Sequence, residues 1–130
     1  MERIAVHFEY LLKASPTILY QFFTTPSCLV RWFCDEVDIR GEDIYVFSWN
    51  GYEEIAKLTE DIEDELVHFA WIDDREGEFL EFKISLSPVT GETILEITDF
   101  CDEDEAEEQR DLWDSQIKQL KKETGSGGSD

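Results

Sequence analysis

Apolar residues alternate with polar ones over most of this chain, and that period of two breaks in only two places. Ile4, Val6, Phe8, Tyr10 and Leu12 share one face of an extended segment, with Ala5, His7 and Glu9 opposite. The rhythm changes at Ser15-Pro16, a helix cap followed by proline at the first helical position. Ile18, Leu19, Phe22 and Phe23 then fall at helical spacing, and Thr24-Thr25-Pro26 ends that helix. Ser27 is expected to cap a second short helix running to Phe33, with Leu29, Trp32 and Phe33 on its apolar face.

Alternation returns at Val37 and Ile39 and continues through Ile44 to Trp49. Asn50-Gly51 then predicts a two-residue hairpin turn, which needs positive φ at both positions. Further strands are expected from Tyr52 to Thr59, Leu66 to Ile72, Phe79 to Leu86 and Thr93 to Asp99. Between them lie an acidic turn (Glu60 to Asp64), the turn Asp73 to Gly77, and Ser87 to Gly91. Such short connections favour antiparallel neighbours, because a parallel pair needs a crossover of about a dozen residues.

The second break is the terminal helix, where Ala106, Trp113, Ile117 and Leu120 form a stripe with Leu112 beside it. Its start is the acid run Asp102 to Asp111, and its end carries Lys118, Lys121 and Lys122, both favoured by the helix dipole. The order is thus a strand, two short helices, six strands and one long helix. This predicts an α+β domain over residues 1–124, with residues 125–130 (GSGGSD) as a flexible Gly/Ser tail. The long helix must cover the concave face of the sheet, and the short helices plug one end. A space between sheet and helix is the natural binding place in such an arrangement.

Composition narrows the function classes. Eleven Lys and Arg stand against 32 Asp and Glu in 130 residues, a formal net charge of −21. That balance repels phosphate backbones and anionic lipid, so neither nucleic-acid binding nor membrane insertion is expected. His7, Glu9 and Lys13 interrupt the opening apolar stretch, which therefore lacks a signal-peptide pattern. Three cysteines, Cys28, Cys34 and Cys101, are an odd number without a CxxC pair, as expected of a cytoplasmic protein with reduced thiols.

Candidate chemistry is sparse. His7 and His68 lie on separate strands without flanking ligands at metal spacing, so no metal and no cofactor is expected. No nucleophile elbow G-x-S-x-G is present, and no catalytic residue is nominated. The run Asp99, Asp102, Glu103, Asp104, Glu105, Glu107, Glu108 lacks the central glycine of a calcium loop and is expected to be a solvated helix start. The four tryptophans, Trp32, Trp49, Trp71 and Trp113, suit either core packing or the walls of a cavity.

The string SPTILYQFFTTPSCLVRWF, Ser15 to Phe33, resembles the opening of the START/Bet v 1-like (SRPBCC) helix-grip superfamily. It is most similar to the branch related to the C-terminal domain of the Hsp90 co-chaperone activator Aha1. Ser15-Pro16, Phe22-Phe23, Thr25-Pro26 and Trp32-Phe33 carry the likeness, with Trp113, Ile117 and Leu120 in the last helix. Leu112 stands where that branch usually has a glycine. The resemblance implies a curved antiparallel sheet of six or seven strands wrapped around a long C-terminal helix. It also implies a cavity for a small apolar or amphipathic ligand, whose wall candidates are Trp32, Phe33, Trp49, His68, Trp71, Phe82, Trp113 and Ile117. Two other readings stay open. One is a co-chaperone-like module whose acidic surface meets a basic protein partner, and the other is a cyclase-like enzyme with His68 as its acid–base group. Neither the ligand nor the oligomeric state follows from the residues.

Overall fold

Strand β1 (Arg3–Leu12) buries Phe8 and Leu12 on the face that the alternation selects, and its other face meets solvent. The computed structural model describes residues 2–72 and 75–125. After β1 come helices α1 (Pro16–Thr24) and α2 (Pro26–Leu29), then strands β2 (Glu36–Arg40), β3 (Ile44–Trp49), β4 (Tyr52–Ile62), β5 (Leu66–Trp71), β6 (Phe79–Leu86) and β7 (Thr93–Asp102). A single 3-10 turn, Glu103–Glu105, leads into helix α3 (Ala106–Thr124). The seven strands form one antiparallel sheet in the order β1-β7-β6-β5-β4-β3-β2. Curved around α3, it is the helix-grip fold.

Local chemistry sets the corners. The Ser15 side chain accepts a hydrogen bond from the Ile18 amide at 3.2 Å and caps α1. Asn50 and Gly51 adopt φ of 50° and 87°, the left-handed pair that a tight β3–β4 hairpin requires. Three expectations need adjustment. Helix α2 starts at Pro26 rather than after Ser27, because Thr25 ends α1 and caps α2 at once in an extended conformation, and proline suits the first helical position. The helix then stops at Leu29, and residues 30–33 continue as turns. The acidic segment after Thr59 stays in β4 to Ile62, since a register shift between Leu58 and Glu60 lets pairing with β5 resume. Strand β7 likewise runs through the start of the acid run to Asp102.

Helix α3 ends at Gly125, whose φ of 76° closes the helix with Lys121 and Lys122 in the last turn. The rest of the expected Gly/Ser tail, residues 126–130, lies outside the described residues, as do Asp73 and Asp74 of the expected β5–β6 turn. The stripe Trp113, Ile117 and Leu120 is buried against the sheet. Helix α3 lies over β1 and β7, tied there by the Tyr10 hydroxyl on Asp114 at 2.8 Å. At the C-terminal end Arg31 pairs with Glu123 at 2.8 Å. The helix is therefore set toward one side of the sheet, away from the β3–β4 hairpin. Among the described residues, no helix is long and apolar enough to cross a membrane.

Candidate functional site

The offset of α3 leaves a cleft of about 660 Å³ between its first half and the β3–β4 hairpin. Phe33, Trp71 and Leu80 form its floor, and Trp49 flanks it on the hairpin side. Gln109, Trp113 and Gln116 form the helix side, and the exposed side chains of Tyr52 and Leu112 stand at the rim. The aromatic walls are braced from behind. Trp49 donates its indole N–H to the Phe33 carbonyl at 2.6 Å, and the Phe33 ring meets Trp49 edge-on at 5.2 Å.

Two polar groups sit in this aromatic setting. Asp99 projects from β7 beneath α3, where its Oδ2 accepts from Gln109 Nε2 at 2.7 Å and from Trp113 Nε1 at 2.9 Å. Its Oδ1 accepts from the Phe100 amide at 2.8 Å. Burial pushes the Asp99 carboxyl above its ordinary range; the bonds from Trp113, Phe100 and Gln109 and the charge of Arg75 act in the opposite sense. The Arg75 guanidinium lies 4.0 Å from the centre of the Trp71 ring, and its Nη2 is 2.6 Å from Glu54 Oε1. Gln109 and Trp113 are one helical turn apart, so a single carboxylate fixes both to the sheet.

Of the residues nominated from sequence, Phe33, Trp49, Trp71 and Trp113 come together around this cleft. Trp32, Phe82 and Ile117 do not reach it. Phe82 stacks on Phe23 of α1 at 4.2 Å, Trp32 donates to the Phe22 carbonyl at 2.9 Å, and Ile117 is buried on the inner face of α3. His68 lies on the outer face of the sheet, because its neighbours Val67 and Phe69 take the inward positions. There its Nδ1 meets Glu81 Oε2 at 2.7 Å and its ring stacks on Phe79. His7 is on the same outer face, 3.1 Å from the Thr98 hydroxyl.

Sequence reasoning overlooked Asp99, Arg75 and Glu54. A signal for Asp99 was present: Leu95, Ile97, Asp99 and Cys101 alternate inward on β7, so a carboxylate occupies a core-facing position. Grouping Asp99 with the acid run concealed it. Among the described residues, no group of three His, Cys, Asp or Glu could hold a metal ion.

The model of the START-like superfamily domain matches residues 1–126. The chain is similar to the solution structure of BfR322 from Bacteroides fragilis, with 35% identity, a TM-score of 0.66, and coverage of 94% of this chain and 91% of that one. It is also similar to the Aha1 dimer from Colwellia psychrerythraea, at 20% identity with a TM-score of 0.80, covering 98% and 99% of the two chains. None of the curated proteins matches. A match over nearly the whole length, on a sheet that grips its last helix, means that this chain belongs to the START-like superfamily.

Proposed function

We propose that this protein is a noncatalytic binder of a small apolar or amphipathic ligand, held in the cleft between the sheet and α3. The observation that carries this reading is the cleft itself. Its volume of about 660 Å³ lies within the roughly 300–1,000 Å³ of ordinary ligand sites. Its walls are aromatic, with a few polar groups at fixed positions. Phe33, Trp49, Trp71 and Trp113 are the proposed contact residues, and Asp99 and Gln109 add polar anchors. Titration with the neutral fluorophore Prodan tests it, read by energy transfer from tryptophan. Saturable binding that Leu112→Glu weakens at least several-fold, and that Lys83→Ala on the outer face leaves unchanged, supports the reading. No saturable transfer, or equal loss in both variants, overturns it.

A second reading is an interaction module. Its support is the net charge of −21 and the likeness in fold to the Aha1 dimer. Such a module would meet a basic partner through long-range attraction, which about 0.5 M salt largely screens. A partner protein captured at low salt, lost at high salt and indifferent to Leu112→Glu favours this reading. The cyclase-like reading loses its nominated acid–base group, since His68 points away from the cleft.

A further inference from the structure

The cleft already contains a cation of the protein's own. Arg75 comes from the β5–β6 connection and lays its guanidinium over Trp71 at 4.0 Å while pairing with Glu54 at 2.6 Å. It is a built-in example of what the pocket accommodates: a positive group between an indole face and a carboxylate. The charges of the lining agree. Among the described residues Glu54 and Asp99 share the cleft with this one guanidinium, within a chain of net charge −21. An incoming anion would meet this field and the carboxyl groups of Glu54 and Asp99, whereas an incoming cation is drawn in.

Resting on the ligand-binding reading, we propose that the cleft selects an aromatic or aliphatic ligand bearing one positive charge, an amine or a guanidinium. Arg75 occupies the ligand's cation subsite until that group displaces it. The displacement is local. Arg75 lies outside the sheet ladders, and its carbonyl accepts the Glu78 amide at 3.0 Å. The ligand's cation would inherit the Trp71 face and the Glu54 carboxylate, while its apolar body lies toward Trp49, Phe33 and Leu80. Arg75 thus acts as a competitor within the chain, and its removal strengthens binding of a cation.

Three probes with one ring system test this: 1-naphthylmethylamine, 1-naphthalenemethanol and 1-naphthoic acid, each titrated calorimetrically into the full chain at about 0.15 M salt. The amine should bind about tenfold tighter than the alcohol, and the acid most weakly. Arg75→Ala should raise amine affinity about three- to tenfold, and Glu54→Gln should lower it about fivefold. Two outer-face variants control for net charge: Lys83→Ala matches the first change and Glu60→Gln the second, and neither should move affinity more than about twofold. Arg75→Gln, which keeps most of the side-chain stem, repeats the test should Arg75→Ala lose its near-UV dichroism. The proposal is overturned if the acid binds best and Arg75→Ala abolishes its binding, because Arg75 is then an anion anchor. It is equally overturned if the alcohol matches the amine, or if the outer-face controls move affinity as much as the cleft variants; the ligand-binding reading survives the first of these. If none of the three probes binds, both readings fall.

Discussion

The two ends of the sheet's concave face are built from the same residue types and do opposite things with them. Under α1 and α2, Phe23 stacks on Phe82 and meets Trp32 edge-on, and Phe23 and Phe82 are essentially without exposed surface. Polar groups there tie the closed end together: the Tyr45 hydroxyl on the Thr24 carbonyl, and Thr93 on the Ala14 carbonyl at 2.6 Å. At the other end Trp49, Trp71 and Trp113 leave a cleft, and their polar neighbours are a carboxylate, a guanidinium and an amide. Aromatic content alone does not decide between a plug and a pocket. What decides is whether a helix covers the rings, and α1 and α2 cover one end while α3 leans away from the other.

The strongest way to break this contrast is Phe82→Ala. The ring is 1% exposed and has close neighbours on both sides, so the variant should lose about 3–5 kcal/mol in urea unfolding. A loss below about 1 kcal/mol would mean that the closed end is not packed as described.

Next is the brace that holds α3 at the open end. Asp99→Ala leaves the Trp113 indole and the Gln109 amide without their acceptor and should cost about 1–3 kcal/mol. Asp99→Asn sharpens the point through pH. Burial raises the folded-state carboxyl above its ordinary value, so the folded protein holds that proton more readily than the unfolded chain does. This contribution is fully present below the ordinary aspartate range and is lost as pH rises through the raised value. Wild-type stability minus that of Asp99→Asn should therefore fall as pH climbs from the ordinary aspartate range toward neutrality. Urea titrations at several pH values check this, and a flat difference would show that the carboxyl is not buried.

The smallest effect belongs to the rim. Tyr52 is 79% exposed, and Tyr52→Ser should change stability by less than about 0.5 kcal/mol. A larger loss in thermal unfolding would mean that the hairpin tip packs onto the body and that the cleft is narrower than described.

The strands, the Ser15-Pro16 start and the Asn50-Gly51 hairpin were legible because each depends on local chemistry: a period of two, a cap, and a turn that needs left-handed residues. The cleft was only half legible. Alternation shows that Phe82 and Trp71 both face inward, but not how far along the sheet each lies relative to a helix distant in sequence. That depth separates a core ring from a wall ring: Phe82 stacks on Phe23 of α1, whereas Trp71 lines the cleft. The outward position of His68 is readable from Val67 and Phe69, which take the inward places on either side of it. Arg75 gave no signal, since an arginine in an acidic turn looks like a solvated charge until Trp71 and Glu54 are seen on either side of it.

The pairing of β1 with β7 has a consequence for how the chain is made. Arg3 meets Asp102 across 99 positions of sequence, and β7 is the only strand partner of β1 among the described residues. During synthesis β1 waits, with Phe8 and Leu12 uncovered, until β7 has followed. Closing so long a loop comes late and makes folding slow compared with hairpin-by-hairpin growth. Over that interval the heavy negative charge makes uncovered copies repel one another, which opposes association through β1 before β7 pairs with it.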